Sequence, residues 1–515
     1  MSGWMMSWVS GLSRVLAVAI LLAPSSYAVA QSDPSAALLG DVTLSAAIPV
    51  SEHSYPFARS RNVDLEGAGY EESEHFVSGK ANVYDWNADA TKPVVQIEGG
   101  PYTNRILVRR PKDPARFNGK VFVELLNPSA GYDVGHQWAL LHEFLLARGW
   151  AYIGITVKPV AIKSLKMFDA KRYAALSWAN PLTLTARGNC SPVPLEGERE
   201  TENGLVWDII THTAALAKST GSKALFPGYD VKRVYAGGWS QTGGFLLNYA
   251  NGFATVKLAS GDFLIDGYLN ESAGLGGPPP QLFTLRQCAQ PPAPGDSRYF
   301  YRPRPTPVIA IATAMDTPSM FPSLQPDSDA ADRRFRMIHL PGGSHRVVYE
   351  APFRPAPGDI DKTGHYGAGG DVPPECTMQR PNDFPQHYVL NAALDNLDRW
   401  ASLGEAPPKF DLIAMDWSVR PPKFLFDGQG NLIGGYRTPY VDVPIAAYVP
   451  ENGPGCRHYG HVRAFTAETL RTLYKSKDDY VSKVQASVDG FVRRRALTQE
   501  DGARIVEEAK RANIP

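Results

Sequence analysis

The sequence of 515 residues predicts an α/β fold with a mostly parallel central sheet and helices on both of its faces. Three observations carry that expectation. Short, nearly continuous apolar runs at 120–126 (KVFVELL), 150–157 (WAYIGITV) and 307–312 (PVIAIA) read as strands covered on both sides. Stretches of helical spacing at 138–146 and 204–218 alternate with such runs, which is the order a parallel sheet needs. Ahead of them, 42–111 is β-rich, with strand-like runs at 74–84 and 105–110, and supplies the first, antiparallel strands.

Taken in order, residues 1–30 stand apart. Arg14, the apolar run 15–23, Pro24 and the A-x-A site Ala28, Val29, Ala30 predict a secretory signal cleaved after Ala30. That run is too short to span a bilayer, and no later one is longer, so a secreted or periplasmic chain without an integral membrane segment is expected. Its 52 basic residues balance 52 acidic ones, leaving no field to attract nucleic acid or anionic lipid. The four cysteines, Cys190, Cys288, Cys376 and Cys456, form no C-x-x-C pair. In an exported chain their even number predicts two disulfides, with three connectivities open.

The stretch 233–250, RVYAGGWSQTGGFLLNYA, carries the chemistry. A short β-prone run enters it, a helical run leaves it, and Gly237, Gly238, Gly243 and Gly244 fill the turn between. Ser240 sits at the tip. A turn this tight crowds the backbone two residues before and after its apex, a demand Gly238 meets and Thr242 meets only roughly. The serine oxygen is thereby lifted above the sheet edge, and the amide of Gln241, at the helix N-terminus, is expected to face an oxyanion formed beside it. The loop 127–133, NPSAGYD, is expected to give the second donor. Pro128 has no N–H, so the choice lies between Asn127 and Ser129, and Asn127 is favoured.

A serine hydroxyl is a weak nucleophile until a base takes its proton. An imidazole does this near neutral pH, and a buried carboxylate fixes its tautomer. Both groups follow downstream. The strand 307–312 runs out at Asp316, where an acid would orient such a histidine. The strand 336–340 is closed by PGGSH, placing His345 on a tight glycine turn from which its ring can swing over the serine. Asp327, Asp329 and Asp332 compete for the acid role, although turn and helix-cap chemistry also accounts for them. His339, within its strand, is expected to face the core. His142-Glu143 lacks the second histidine of a zinc helix, and neither G-x-G-x-x-G after a strand nor G-x-x-x-x-G-K-[ST] occurs, so no cofactor and no metal is required.

The remaining segments frame this site. Weak periodicity at about 158–203 and the Pro/Gly-rich stretch at about 271–305 read as insertions that roof it. A helix is expected at 388–402, a hairpin turn at 427–431 and a strand-like return at 434–444, in which Arg437 and Asp442 either pair or line the pocket, pairing being favoured. The tail 466–513 reads as helical, with Leu470, Leu473, Tyr480, Val484, Val488 and Val492 on one stripe and Thr498 capping a last helix over Asp501.

Taken together, YEESEHFVSGKANVYDW, VELLNPSAGYD, GGWSQTGG, QPDSDAADRRFRMIHLPGGSH and GGYRTPYVDVPIAAY resemble the large exported alpha/beta hydrolase domain-containing proteins. The order Ser240, Asp316, His345 is the chain order of that fold's triad. The resemblance implies an alpha/beta-hydrolase catalytic domain over 31–460, lid insertions, and a C-terminal helical extension over 461–515. It also implies a serine hydrolase. The expected reaction is cleavage of a small-molecule or polymeric carboxylic ester through an acyl-enzyme. A peptidase, amidase or lactonase with the same triad, and a non-catalytic binding protein on this scaffold, are the alternatives.

Overall fold

The computed structural model describes residues 33–183, 200–273, 284–287, 289, 292–293, 296–302, 304–320, 325–366, 376, 379–420, 422–450, 456 and 458–515. The expected signal at 1–30, the cysteines Cys190 and Cys288, and parts of both expected insertions lie outside the described residues.

One nine-stranded sheet organises the chain. Its strands are β1 (Thr43–Leu44), β2 (Tyr70–Trp86), β3 (Pro93–Pro111), β4 (Lys120–Leu125), β5 (Ala151–Ile155), β6 (Arg233–Trp239), β7 (Gly267–Glu271), β8 (Val308–Thr313) and β9 (Phe335–Leu340). They lie in the order β1-β2-β3-β5-β4-β6-β7-β8-β9. The β1–β2, β2–β3 and β3–β5 pairs are antiparallel and every later pair is parallel. The chain therefore steps outward from β4 to β5, then returns to lay β6 on the other side of β4. A crevice opens above the carboxyl ends of β4 and β6 at such a reversal, and ligands bind there in open α/β sheets.

Period-two alternation sends successive strand residues to two separate cores. Val121, Val123, Val234, Ala236, Val308 and Ala310 pack on one face, beneath the helices Val206–Lys218 and Gln241–Phe253. Phe122, Tyr235, Ile309 and Ile311 pack on the other, beneath His136–Ala147 and Gln386–Leu403. Parallel strands buried on both sides have no polar face to alternate, which is why they read as continuous apolar runs.

Three elements depart from the sequence reading. The run 261–269 (GDFLIDGYL) reads as a strand throughout, but only its end joins the sheet, where β7 begins at Gly267 and extends to Glu271. Gly261 turns at φ +88°, and the Asp266 carboxylate is spent on the Val234 N–H and the Lys218 ammonium, at 2.8 and 2.7 Å. The segment 434–444 is not a strand. Gly434 and Gly435 take φ of +77° and +74°, a bend that a strand does not make, and the short helix Pro439–Asp442 follows. Arg437 does pair with Asp442, at 2.7 Å, and also with Asp427 at 3.0 Å. The insertion after β5 opens with a helix, Pro159–Phe168, rather than with irregular chain.

The tail forms the helices Ala467–Leu473, Lys477–Arg493 and Gln499–Arg511. Tyr480, Val484 and Val488 are buried in the second core, and the Thr498 hydroxyl accepts the Asp501 N–H at 3.0 Å. Cys376 and Cys456 are joined in a disulfide. No described helix is long and apolar enough to cross a membrane.

Candidate active site

At the top of β6 the backbone turns directly into the helix Gln241–Phe253, and Ser240 between them holds φ +55° and ψ −120°. A positive φ at a residue with a Cβ is strained, by about 1–3 kcal/mol, and persists only where the surroundings enforce it. They do so here by close approach. A Cβ on Gly238 would lie 2.5 Å from the Thr242 carbonyl oxygen, and one on Gly237 would lie 2.3 Å from the Phe122 ring. On the far side, a Cβ on Gly243 would meet the Asn270 side chain at 2.3 Å. Thr242 replaces the glycine expected two residues after the serine for a readable reason. It is fully buried, and its hydroxyl donates to the Trp239 carbonyl at 3.0 Å while accepting the Trp239 N–H at 3.2 Å, closing the turn from inside.

Asp316 and His345 follow β8 and β9, which pair with each other two and three strands beyond β6. Asp316 follows β8 in a turn, with its N–H on the Thr313 carbonyl at 3.0 Å. Its carboxylate accepts the Thr313 hydroxyl and faces Nδ1 of His345 at 2.8 Å. Burial pushes the Asp316 carboxyl up, but the His345 ring and its hydrogen bonds more than offset this and hold it below the usual carboxylate range. Two of the three competing carboxylates are committed elsewhere. Asp327 and Asp329 clamp the buried guanidinium of Arg336 in β9, at 2.7 and 2.5 Å. His345 itself is buried against the Trp239 ring, with centroids 4.8 Å apart. His339 is wholly buried, accepts the Ile413 N–H at 3.3 Å, and is pushed down to about 4 by that burial.

The oxyanion donor expected at Asn127 requires correction. Its N–H is given to the Val134 carbonyl at 2.9 Å, in a two-way bridge that closes the loop after β4. Ser129 gives its own N–H to the Asn127 side-chain oxygen at 2.8 Å. The reason is general: Asn127 is only 2% exposed, and a buried amide in a short loop takes the nearest acceptor. The Asn127 carboxamide donates to the Trp239 carbonyl at 2.7 Å, so this residue ties the loop to the serine turn. Gln241 occupies the first helical position, where N–H groups have no acceptor within the helix.

A buried charged group beneath the serine turn is invisible in sequence. His136 stacks on Trp239 at 3.9 Å and bridges Glu350 at 2.5 Å and Glu271 at 3.3 Å. Burial alone would lower its pKa, but the two carboxylates outweigh it and raise it to about 10. Glu350 is shared with Arg346 and Arg354, and the Glu271 carbonyl accepts the Ser240 N–H at 2.9 Å. No local motif marks these residues, because 135 positions separate His136 from Glu271 and 214 separate it from Glu350.

A cavity of about 800 Å³ opens elsewhere, between the start of the helix Gln386–Leu403 and the C-terminal helices, walled in part by Tyr388, Tyr440, Tyr480 and Arg504. Its size does not make it the reactive site, since none of its lining residues is a serine or cysteine beside a base. Among the described residues, no group of three or more His, Cys, Asp or Glu side chains is placed to hold a metal ion.

The chain matches the family model described as alpha/beta hydrolase domain over residues 44–507. Among solved structures, a lipase/esterase from Lactobacillus plantarum is 12% identical at a TM-score of 0.27, the match covering 46% of this chain and 86% of that one. An esterase from Pyrobaculum calidifontis is 11% identical at 0.29, over 56% and 83% of the two chains. A dienelactone hydrolase from Anabaena variabilis is 12% identical at 0.25, over 55% and 92%. No curated protein matches the chain.

Proposed function

The chain belongs to the alpha/beta hydrolase domain family, and from that premise we propose that it is an exported serine hydrolase cleaving carboxylic esters through Ser240, His345 and Asp316. Its N-terminal 30 residues, with their apolar run and A-x-A site, support export. One observation carries the chemistry: Ser240 is held at φ +55° on the apex between a parallel strand and a helix N-terminus. That conformation is costly, and a serine kept there needs a use for its oxygen.

In the proposed reaction His345 takes the Ser240 proton while Oγ bonds to the ester carbonyl carbon. The carbonyl oxygen gains the negative charge and is met by the Gln241 N–H. Collapse of this intermediate breaks the bond to the alcohol oxygen, which leaves with the proton held on His345. Water then repeats the steps on the acyl-enzyme, delivering its proton to His345 and freeing the acid and Ser240. Asp316 keeps Nδ1 protonated and stabilises the imidazolium. Loss of a single oxyanion donor in such sites costs roughly a hundred- to a thousandfold in rate.

The test is turnover of a short-chain aryl ester together with labelling by a fluorophosphonate. Wild type does both and Ser240→Ala does neither. Undiminished turnover in Ser240→Ala removes the mechanism, and faster cleavage of the matching aryl amide than of the ester reassigns the bond.

A further inference from the structure

The loop that carries His345 is held by a segment from far along the chain. The His458 carbonyl accepts the Arg346 N–H at 2.9 Å, and the Gly460 N–H donates to the Ser344 hydroxyl oxygen at 2.9 Å. Asn382 completes the knot: its N–H goes to the Gly460 carbonyl at 2.9 Å, and its carboxamide reaches the Ser344 hydroxyl at 2.7 Å. The approach is close enough to need a glycine, since a Cβ on Gly460 would lie 2.4 Å from the Ser344 oxygen. The Arg346 guanidinium covers the Tyr459 ring at 4.9 Å. Just before this segment, Cys456 is bonded to Cys376, 80 residues away, and both cysteines are buried with Tyr459 in one small cluster. Beside this cluster, the half-buried His458 ring meets the His345 ring at 5.0 Å and 87°.

We propose that residues 458–461 form a strap over the His345 loop, stapled by the Cys376–Cys456 bond, and that His458 is a positioning residue whose ring fixes the His345 imidazole for reaction. The proposal rests on the ester-hydrolase reading above. Its physical basis is that Asp316 holds His345 through one nitrogen only, which leaves the ring free to tilt about that bond. Trp239 walls one side, at 4.8 Å with a 34° tilt. His458 supplies the second wall at a right angle, the edge-to-face geometry that aromatic rings prefer. The disulfide keeps that wall in place, because it shortens the loop through which the strap could drift.

Two pairs of variants test this on the full chain, with aryl-ester kinetics as the readout. His458→Ala should lower kcat about three- to tenfold with KM within about twofold, the size of one lost ring contact acting on the transition state. His458→Phe, which keeps a ring but no ionisable nitrogen, should restore most of kcat. The double variant Cys376→Ser, Cys456→Ser should lower kcat in the same direction and remain folded by circular dichroism. Wild-type kcat in His458→Ala overturns the proposal, as does an equal loss in His458→Phe and His458→Ala. Failure of the underlying reading looks different: wild-type enzyme would then show neither turnover nor fluorophosphonate labelling.

Discussion

Replacing Ser240 with glycine should stabilise the protein while abolishing turnover. At φ +55° and ψ −120°, Ser240 sits where an L side chain is strained by about 1–3 kcal/mol. Glycine reaches positive φ at no steric cost, but its freer unfolded chain takes back about 0.4–1 kcal/mol. The net expectation for Ser240→Gly is a gain of about 1 kcal/mol. Ser240→Ala is the control, since it removes the same hydroxyl and keeps the strained Cβ. Its stability should stay within about 0.5 kcal/mol of wild type. Both variants lack the hydroxyl and should be inactive, so their difference in stability isolates the backbone. The assay is urea unfolding followed by tryptophan fluorescence, where Trp239 beside the serine is one of the reporters. A Ser240→Gly midpoint below that of Ser240→Ala would refute the claim that this turn stores strain. Residual ester turnover in either variant would refute the nucleophile.

Further perturbations at Asp316, Asp327, Gly238 and His136 separate the proposed reactive groups from structural ones. Asp316→Asn should lower kcat on the order of a thousandfold or more with little change in KM, whereas Asp327→Asn should leave kcat within about twofold and lower the urea midpoint, because Arg336 loses a partner. Gly238→Ala should reduce both stability and activity, since its Cβ would press on the Thr242 carbonyl at 2.5 Å, and no side chain there can move aside. His136→Phe should destabilise by about 3–5 kcal/mol by leaving the buried Glu271 carboxylate without its cation, while Glu350 keeps Arg346 and Arg354. The pH dependence of His136 follows from its folded pKa of about 10 against 6.5 unfolded. A raised histidine contributes stability that is complete below pH 6.5 and is lost as pH climbs through about 10. Unfolding midpoints measured across that window should therefore fall more steeply in wild type than in His136→Asn.

Strands β4, β5 and β8 were legible because burial on both faces forces nearly every position to be apolar. The turn at Ser240 was legible because its glycines answer local crowding, and Asp316 and His345 because each ends a recognisable strand. Other features resist sequence reading because residue type does not reveal which acceptor a backbone N–H takes or which φ a glycine adopts. Asn127 looked like an oxyanion donor until Val134, seven residues on, proved to hold its N–H. The segment 434–444 has the apolar content of a strand, and two adjacent left-handed glycines bend it away from one.

Local order, then, already contained the alternation of strand and helix, the strained serine and the strand ends at which Asp316 and His345 lie, since each is written in residues within about one turn or strand. Folding alone settled which of several aspartates meets His345, where the charge of His136 is balanced, and that His458 comes to rest on the His345 ring. Those outcomes depend on where the sheet brings distant loops together, and the packing of its two cores governs that.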